Sequence, residues 1–566
     1  MVCLGLLLLL QMLEAFASSR GHRDEDAAAA DDLALCPKRC ECFDDFQTVD
    51  CAKRGFLSLP SLLNHTKRLS MEGNHLQTIT VNSFRSAGAE IESIILTDND
   101  LVLINTITFC QLPRLGELDL SRNFIKAFDV DLSCVAQALE ELNLSHNLLT
   151  IIPKDLADFA PALEVLDLSY NDLTSPAFDV SYARLRSLRF LDLSANHIYE
   201  ILTSDLAPLR STSLQTFCLN DCKMIAVEED AFSELANLTT LSLSNSFLDE
   251  VAIERVFQRI SSPASLTQLD LSRTQITNAT VSLLGMFHGL SLLDLSNCNL
   301  HLFEPLLFRH LSDLESLHLD NGELTRLTDV GTLQNLRELY AQRNLLEAVD
   351  LRRARILETV DLSWNRIRSL PAHWLDSADM VQDLNLSHNY IATIDRNAFD
   401  LTNVIYVLDL SYNRLESLQL YGSLRVRKLI LSHNNITRIV KGAFDSHFDT
   451  LTELDLGWNS LEGVEEGTFT STLSTLHYLN LAQNRLGVAL AEGRLETMFV
   501  SMISLKVLDL SYNDVTVIQS RQLVHLRQLS SIYLQGNRIQ HLGDASLQAI
   551  NLITKVGTDA GKYLHV

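Results

Sequence analysis

The stretch Leu118-Asp119-Leu120-Ser121-Arg122-Asn123-Phe124-Ile125 decides the fold, because close copies of it return along most of the chain. The next copy covers residues 142–149, and others cover residues 166–173, 408–415 and 508–515. Aligned at the asparagine position, which other residues occupy in some copies, the phrase occurs 20 times, about 24 residues apart, at positions 74, 99, 123, 147, 171, 196, 222, 246, 274, 298, 322, 344, 365, 389, 413, 434, 459, 484, 513 and 537. Such a period predicts a solenoid, in which each unit packs on its neighbours.

The copies fit the template L-x-x-L-x-L-x-x-N/C-x-L of the leucine-rich repeat. The L-x-L core predicts a short strand whose leucines point inward and whose middle residue points outward. A phenylalanine follows ten residues after the asparagine in several copies and predicts a column of buried rings: Phe84, Phe109, Phe232, Phe308, Phe399, Phe444 and Phe469. The predicted fold class is an α/β solenoid, a leucine-rich-repeat horseshoe of about 20 repeats. A long parallel sheet forms its concave face, and irregular or short helical segments form its convex face.

Composition excludes several classes of protein. Hydrophobic residues make up 46% of the chain and charged residues 20%, which is typical of a folded protein rather than a disordered one. Acidic residues outnumber basic residues by 71 to 45, giving a formal net charge of −26. This balance argues against nucleic acid as a partner and disfavours anionic lipid surfaces, since both need clustered basic charge.

The first 17 residues are interpreted as a secretory signal peptide. A short apolar run at residues 2–10 precedes the small-x-small site Ala15-Phe16-Ala17, although no Lys or Arg precedes the run. Residues 18–35 are expected to form a flexible acidic leader. No later segment has 18 uninterrupted apolar residues, so no membrane span is expected. The predicted localisation is secreted or extracellular, with cell-surface association only through a partner.

Four cysteines, Cys36, Cys40, Cys42 and Cys51, lie close together just before the repeats. A zinc site is the alternative to disulfides here, and uneven spacing after a signal peptide favours disulfides. We assign residues 36–65 to an N-terminal cysteine cap, 66–550 to the repeats and 551–566 to a C-terminal tail without a cysteine cap.

With these features the chain resembles the extracellular leucine-rich-repeat domains of Toll receptors, Slit, chaoptin, connectin and the acid-labile subunit. The resemblance covers about residues 36–550, and it implies the cap pairings Cys36–Cys42 and Cys40–Cys51. The chain departs from many of these relatives because it has no cysteine after Cys298. The architecture is shared by many functions, so the resemblance does not choose among them.

The remaining cysteines have different expected roles. Cys110 and Cys134 occupy equivalent positions of adjacent repeats, which makes a disulfide between them plausible. Cys222 and Cys298 occupy the asparagine position and are expected to be buried thiols. Cys218 is expected to point outward from the strand, where it would be either an intermolecular thiol of a homodimer or an unreactive, partly shielded one.

Six N-x-S/T sequons predict glycosylation sites, at Asn64, Asn143, Asn237, Asn278, Asn385 and Asn435. Asn143 and Asn385 are outward-facing strand residues, where a glycan would shield the concave face. Alternatively, both belong to the repeat consensus and carry no glycan.

No catalytic motif is present. The chain contains no H-E-x-x-H, G-x-S-x-G, phosphate-binding glycine loop or calcium-loop pattern. We therefore predict no enzymatic activity, no metal site and no cofactor.

Outward strand positions form rows on the predicted concave face. One row contains nine aspartates and predicts either a negative stripe or simple repeat consensus: Asp119, Asp167, Asp192, Asp270, Asp294, Asp361, Asp409, Asp455 and Asp509. The position before the asparagine is rich in aromatic residues and histidines, and it supplies the candidate binding residues Tyr170, Trp364, Tyr412, Trp458, Tyr512, His388 and His433, with His146. Exposed Trp and Tyr are typical interface anchors, and packing over the rim of the sheet is the alternative.

The predicted function is that of a secreted or cell-surface-associated protein-binding scaffold. It would act in extracellular recognition or cell adhesion through the concave face, with an extracellular protein ligand or receptor as partner. Two alternatives stay open: an innate immune recognition factor of the Toll type, and a passive matrix or carrier scaffold.

Overall fold

The computed structural model describes residues 36–84, 89–260, 263–301, 308, 310–375, 378, 380–399, 404–418, 424–439, 444, 448–465, 471–519, 522–542 and 555–557. The chain forms two compact units, divided between Leu295 and Ser296. The predicted signal peptide and leader, Phe469, and all of the predicted tail except residues 555–557 lie outside the described residues.

The N-terminal unit begins with an antiparallel pair of strands, Glu41–Phe43 and Thr48–Asp50. Parallel strands then add to this pair in chain order, one from each repeat: Arg68–Ser70, Ser93–Ile95, Glu117–Asp119, Glu141–Asn143, Val165–Asp167, Phe190–Asp192, Thr216–Cys218, Thr240–Ser242, Gln268–Asp270 and Leu292–Asp294. Each strand pairs with the next so that equivalent repeat positions are neighbours, as Leu118 and Leu142 are.

The C-terminal unit repeats the same arrangement. Its parallel strands are Ser316–His318, Glu338–Tyr340, Thr359–Asp361, Asp383–Asn385, Val404–Asp409, Arg425–Ile430, Glu453–Asp455, Tyr478–Asn480, Val507–Asp509, Ser531–Tyr533 and Lys555–Gly557. Long parallel pairing built from one short strand per repeat confirms the predicted leucine-rich-repeat solenoid in each unit.

Short helices and two-residue to three-residue strands return the chain between successive sheet strands. The α-helices are Leu156–Phe159, Thr203–Leu206, Glu250–Arg259, Asn278–Leu283, Gly487–Ala491 and Glu496–Val500. The 3-10 helices are Val81–Phe84, Thr106–Phe109, Val180–Arg184, Ala207–Ser211, Pro263–Ser265, Leu284–Met286, Val330–Thr332 and Ser471–Thr475. Within the described ranges, no helix has the length and apolar character needed to cross a bilayer.

Further short strands pair in parallel on this returning side. They are Leu103–Asn105 with Ala127–Asp129, Glu200–Ile201 with Ala226–Val227, Arg326–Leu327 with Ala348–Val349, Ser369–Leu370 with Thr393–Ile394, Ser417–Leu418 with Arg438–Ile439 and Gly463–Val464, and Val517–Ile518 with His541–Leu542.

The core lies between the sheet and the returning segments. Leu118, Leu120 and Ile125 of the defining stretch are fully buried, and the equivalent residues are buried in the other repeats. The predicted phenylalanines that are described, Phe84, Phe109, Phe232, Phe308, Phe399 and Phe444, are all at most 2% exposed. Burial of each such side chain stabilises the fold by about 1.5–3 kcal/mol, so these rings hold successive repeats together.

The asparagines form a ladder of hydrogen bonds along the sheet edge. Asn123 Nδ2 donates to the carbonyls of Leu96, Leu120 and Ser121, and its Oδ1 accepts from the Leu101 backbone N–H. One side chain thereby satisfies four backbone groups across two repeats, which explains why the repeat needs an amide there. Cys222 in the same position is buried, and its Sγ donates a hydrogen bond to the Leu193 carbonyl.

The N-terminal cap contains the disulfides Cys36–Cys42 and Cys40–Cys51, the pairing that the family resemblance implied. A third disulfide joins Cys110 to Cys134 across adjacent repeats, with their Cα atoms 5.3 Å apart. Cys222 and Cys298 are buried thiols.

Cys218 ends the strand Thr216–Cys218 on the face that the predicted alternation gives it, and its side chain is buried against Phe190. Strand alternation fixes the face on which a side chain lies, but it does not determine what covers that face. The role of Cys218, as an intermolecular thiol of a homodimer or as a shielded one, stays a prediction.

Candidate binding surface

The residue before each asparagine has a left-handed backbone conformation. Its φ is 57° at Trp364, 54° at Tyr412 and 54° at Trp458, and equivalent residues in the other repeats have similar values. Left-handed φ is uncommon for residues other than glycine, and here it accompanies the turn by which the chain leaves each strand. Because the conformation recurs in every repeat, the side chains at this position project in parallel and form a row.

In the C-terminal unit five of these side chains stack on one another. We call Trp364, His388, Tyr412, His433 and Trp458 the ring row. Successive ring centroids are 3.8, 4.0, 4.0 and 4.9 Å apart, and the interplanar angles are 10°, 12°, 10° and 16°. Five neighbouring repeats thus share one continuous aromatic stack, built from residues that are about 20 to 25 positions apart in sequence.

The ring row remains open to solvent although its faces are covered. Trp364 is 52% exposed, Tyr412 44% and Trp458 52%. The three inner rings are covered on both faces, so their exposed area lies at the edges and tips. Ring edges carry the positive end of the aromatic quadrupole, and the indole N–H and the phenol O–H are polar handles there.

Charged groups border the ring row. The guanidinium of Arg343 lies 5.8 Å from the Trp364 ring, and that of Arg414 lies 4.4 Å from the ring of Tyr390, which is 42% exposed. Burial lowers the pKa of His388 and of His433, because it disfavours the charged imidazole. The neighbouring carboxylates of Asp409 and Asp455, respectively, oppose this effect.

The other predicted anchors do not join the ring row. Tyr170 stacks on His146 in the N-terminal unit, with centroids 4.0 Å apart and an interplanar angle of 10°. Tyr512 is 49% exposed and lies against Gly536, where a Cβ atom would be only 2.2 Å from Tyr512 Cδ1. Gln483 occupies the equivalent position between Trp458 and Tyr512, so the aromatic sequence is interrupted there.

The aspartate row has a structural role in the turn. Along this row Oδ1 accepts a hydrogen bond from the backbone N–H two residues later, as Asp361 does from Ser363 at 2.8 Å. Asn143, Asn385 and Asn480 accept the same bond without a charge. The turn therefore requires an acceptor but not a carboxylate. Burial also raises the pKa of Asp167, Asp192 and Asp270, so the row is not a uniformly charged stripe.

The described sequon asparagines differ in their surroundings. Asn64, Asn237 and Asn435 are exposed. Asn143 and Asn385 are half-buried on the sheet, where each accepts hydrogen bonds from the N–H and the hydroxyl of the serine two residues later. The side chain of Asn278 lies outside the described residues.

Sequence reasoning missed Arg343, Tyr390 and Arg414, as well as a cavity between Lys428 and Tyr478. The two arginines and Tyr390 lie in the two positions that border the asparagine, so aligning the repeats column by column would have placed them beside the ring row. In the part of the chain that the structure describes, no group of three or more His, Cys, Asp or Glu residues is arranged to hold a metal.

These repeats match known proteins in sequence. A family model described as leucine rich repeat matches residues 136–198, 355–418, 424–486 and 496–539. The chain therefore contains leucine-rich repeats behind a disulfide-bonded N-terminal segment, and its resemblance to Toll-type extracellular domains is supported.

Individual relatives are distant. The chain is 27% identical to podocan from Mus musculus over 365 residues, which is 60% of this chain and 58% of podocan. It is 28% identical to lumican from Gallus gallus over 190 residues, which is 34% of this chain and 47% of lumican. About half the length of each of these two relatives is therefore matched. Toll-like receptor 2 from Pan troglodytes is 31% identical over 166 residues, or 29% of this chain and 20% of the receptor.

Solved structures share the fold. The TLR13–ssRNA13 complex superposes with a TM-score of 0.54 at 22% identity, covering 92% of this chain and 86% of that chain. YopM from Yersinia enterocolitica gives a TM-score of 0.52 at 19% identity, covering 90% of each chain. At these identities the likeness concerns the fold alone.

Proposed function

We propose that this chain is an extracellular recognition scaffold that binds another protein through the ring row of its C-terminal unit. The observation that carries the proposal is the stack from Trp364 to Trp458, which places three half-exposed large aromatic side chains across five neighbouring repeats. Binding is non-covalent, and no catalytic step is involved.

Energetic considerations favour a protein partner for this surface. Tryptophan and tyrosine are the residues that most often dominate protein interfaces, since they combine a large apolar area with a polar edge. Stacking also holds each ring in place before binding. Immobilising a flexible side chain at an interface costs about 0.5–1.5 kcal/mol, so pre-stacked rings lose less on association.

The relatives support an extracellular setting. Podocan, lumican and chondroadherin are extracellular matrix proteins, and all three match this chain in sequence. We accordingly place the protein outside the cell, either released or held at the cell surface by its partner, with recognition or adhesion as its role.

The sequence match to Toll-like receptor 2 favours a second candidate, an innate immune recognition factor. Under this candidate the partner is a microbial molecule or another defence protein. A passive matrix or carrier scaffold is the weaker alternative, because it would need no concentrated aromatic surface.

Affinity capture with matched variants tests the proposal. The ring-row variant combines Trp364→Gln, Tyr412→Gln and Trp458→Gln, since Gln483 shows that this position accepts glutamine in the left-handed conformation. Tyr170→Gln in the N-terminal unit is the control. The tagged full chain is incubated with intact cells and matrix, and proteins captured by wild type and control but lost by the ring-row variant are purified for direct affinity measurement.

We expect the ring-row variant to lose at least about tenfold in affinity for the true partner, since interface aromatic anchors commonly contribute about 2 kcal/mol or more. Equal binding by wild type and ring-row variant would disprove the assignment. Partners of microbial origin would select the immune candidate instead of adhesion.

A further inference from the structure

A cavity opens on the outward face of the C-terminal sheet, next to the end of the ring row. It has a volume of about 380 Å³ and is lined by Lys428, Leu429, Ile430, Glu453, Asp455 and Tyr478. Its residues come from the three neighbouring strands Arg425–Ile430, Glu453–Asp455 and Tyr478–Asn480. Parallel register aligns Lys428, Glu453 and Tyr478 in one row, and Ile430 and Asp455 in the next.

The cavity combines apolar and aromatic walls. Leu429 is buried beneath it, and Ile430 and Tyr478 are half-buried at its sides. Ile430 interrupts the row of acidic residues between Asp409 and Asp455, so an apolar surface lies where the adjacent repeats have carboxylates. An aliphatic chain would find contact there, and a cation would find the face of a tyrosine ring.

The charge of the cavity is negative. Lys428 pairs with Glu453, with Nζ 3.0 Å from Oε2. Asp455 accepts hydrogen bonds from the Gly457 N–H at 2.9 Å and from the side chains of Ser432 and Asn480, all of which are neutral groups. Among the described residues, no lysine or arginine pairs with Asp455.

The charged groups around Tyr478 are also predominantly negative. Burial is the main cause that raises the pKa of its hydroxyl, and the negative charges of Asp455, Asp509 and Glu453 add to it. Three carboxylates therefore act on this ring while one lysine offsets them. An acidic ligand would be repelled, and a neutral one would leave the charge of Asp455 uncompensated.

We infer that this cavity receives a basic side chain, arginine or lysine, from an extended segment of the partner protein. The methylene stem lies on Ile430, and the cation lies between the Tyr478 ring and the Asp455 carboxylate. Since Asp455 of the cavity interacts electrostatically with His433, the same segment contacts the end of the ring row. This inference rests on the proposed function and further specifies that the partner segment carries a positive charge.

The chain offers variants that remove the charge or the ring without disturbing the repeat. Asp455→Asn keeps the turn acceptor, because Asn143, Asn385 and Asn480 already serve in that position. Tyr478→Val places valine beside Val507, the residue in register on the next strand. Asp361→Asn is the matched control, since it makes the same charge change in the same row away from the cavity.

Fluorescence anisotropy with a labelled Gly-Arg-Gly-Arg-Gly peptide measures the effect on the full chain in physiological salt. A second peptide replaces each arginine with neutral citrulline. We expect at least about tenfold tighter binding of the arginine peptide, and at least about fivefold loss in Asp455→Asn and in Tyr478→Val, because each variant removes one of the two contacts that hold the cation in a partly desolvated site. Asp361→Asn should stay within about twofold of wild type, since Asp361 lies three strands away from Ile430, the nearest residue of the same row that lines the cavity.

Three results would overturn the inference: no binding of the arginine peptide by wild type, equal binding of the citrulline peptide, or the same loss in Asp361→Asn as in Asp455→Asn. The captured partner separates this failure from failure of the proposed function. A partner lost by the ring-row variant but kept by Asp455→Asn and Tyr478→Val would leave the proposed function intact and refute the cavity. A partner kept by all variants would refute both.

Discussion

The imidazole of His388 lies face to face with the phenol ring of Tyr412, with centroids 4.0 Å apart and an interplanar angle of 12°. The two residues are one repeat apart and share the left-handed conformation, with φ of 52° and 54°. Trp364 covers the other face of His388, and His433 covers the other face of Tyr412. The left-handed backbone conformation thus brings side chains from the same position of successive repeats into one stack.

The stack predicts a pH dependence. The pKa of His388 and of His433 is lowered from the usual 6.5, mainly by burial. A histidine with a lowered folded-state pKa contributes stability above its unfolded pKa and loses that contribution as pH falls through the folded value. Between about pH 7 and pH 5, wild type should therefore lose more stability than the double variant His388→Gln, His433→Gln.

Urea unfolding followed by tryptophan fluorescence measures this difference, because Trp364, Trp374 and Trp458 are all in the C-terminal unit. His146→Gln in the N-terminal unit is the control and should leave the pH profile of the tryptophan signal unchanged. A steeper profile in the double variant would mean that cation–π attraction to the flanking rings outweighs burial.

Removing the middle ring tests whether the stack stabilises the unit. Tyr412 has a ring neighbour on each side, and an aromatic pair contributes about 0.5–1.5 kcal/mol beyond its buried area. Tyr412→Gln should therefore lower the free energy of unfolding of the C-terminal unit by about 1–3 kcal/mol. Tyr512→Gln, which removes a tyrosine outside the ring row, should cost less in the same urea measurement, and equal losses would contradict a cooperative stack.

Sequence periodicity predicted most of the fold, because a 24-residue repeat determines which residues are neighbours. Leu118, Asn123 and Phe109 could be assigned to strand, turn and core from spacing alone, since each role requires a particular residue type. The ring row was predicted only as a set of exposed residues. Its stacking depends on the left-handed φ at that position, which no residue type in the column reveals.

Two other features were beyond sequence reasoning for physical reasons. Cys218 lies on the face that alternation predicted, but its burial depends on what packs against that face. The cavity at Asp455 needs the register of three strands, and Lys428, Glu453 and Tyr478 look unrelated until the repeats are aligned. Local sequence patterns predict strands and turns well, whereas a surface is formed by side chains that are distant in sequence.

The asparagine ladder predicts a graded loss of stability. Asn389 Nδ2 donates to the carbonyls of Leu362, Leu386 and Ser387, and its Oδ1 accepts from the Ile367 N–H. Asn389→Ala leaves these buried groups without a partner, and each such group costs about 1–3 kcal/mol, so we expect a loss of about 3 kcal/mol or more. Asn389→Cys, which reproduces the residue that the chain itself has at Cys222, should lose less by urea unfolding. If both variants lost the same amount, the hydrogen bonds would not be the cause.

Gly536 predicts a specific coupling with Tyr512. Gly536 has φ of 69°, and a Cβ there would be 2.2 Å from Tyr512 Cδ1. Gly536→Ala should lower the free energy of unfolding of the unit for two reasons. The left-handed backbone conformation costs alanine about 1 kcal/mol, and displacement of the Tyr512 ring by the new Cβ adds a second, steric cost. In a double-mutant cycle, Tyr512→Gln should relieve the second part. Fully additive losses would show that the ring does not constrain the glycine.

The Cys110–Cys134 disulfide predicts local stabilisation of the N-terminal unit. It closes a loop with a sequence separation of 24 residues, for which the chain-entropy model gives about 3 kcal/mol. Limited proteolysis with mass spectrometry should therefore show faster cleavage within residues 110–134 in the double variant Cys110→Ser, Cys134→Ser. Cys110→Ser alone should give the same acceleration, because either change removes the bond. Cleavage in the C-terminal unit is the internal control, and an unchanged rate in residues 110–134 would mean that packing of Phe109 and its neighbours holds this region without the disulfide.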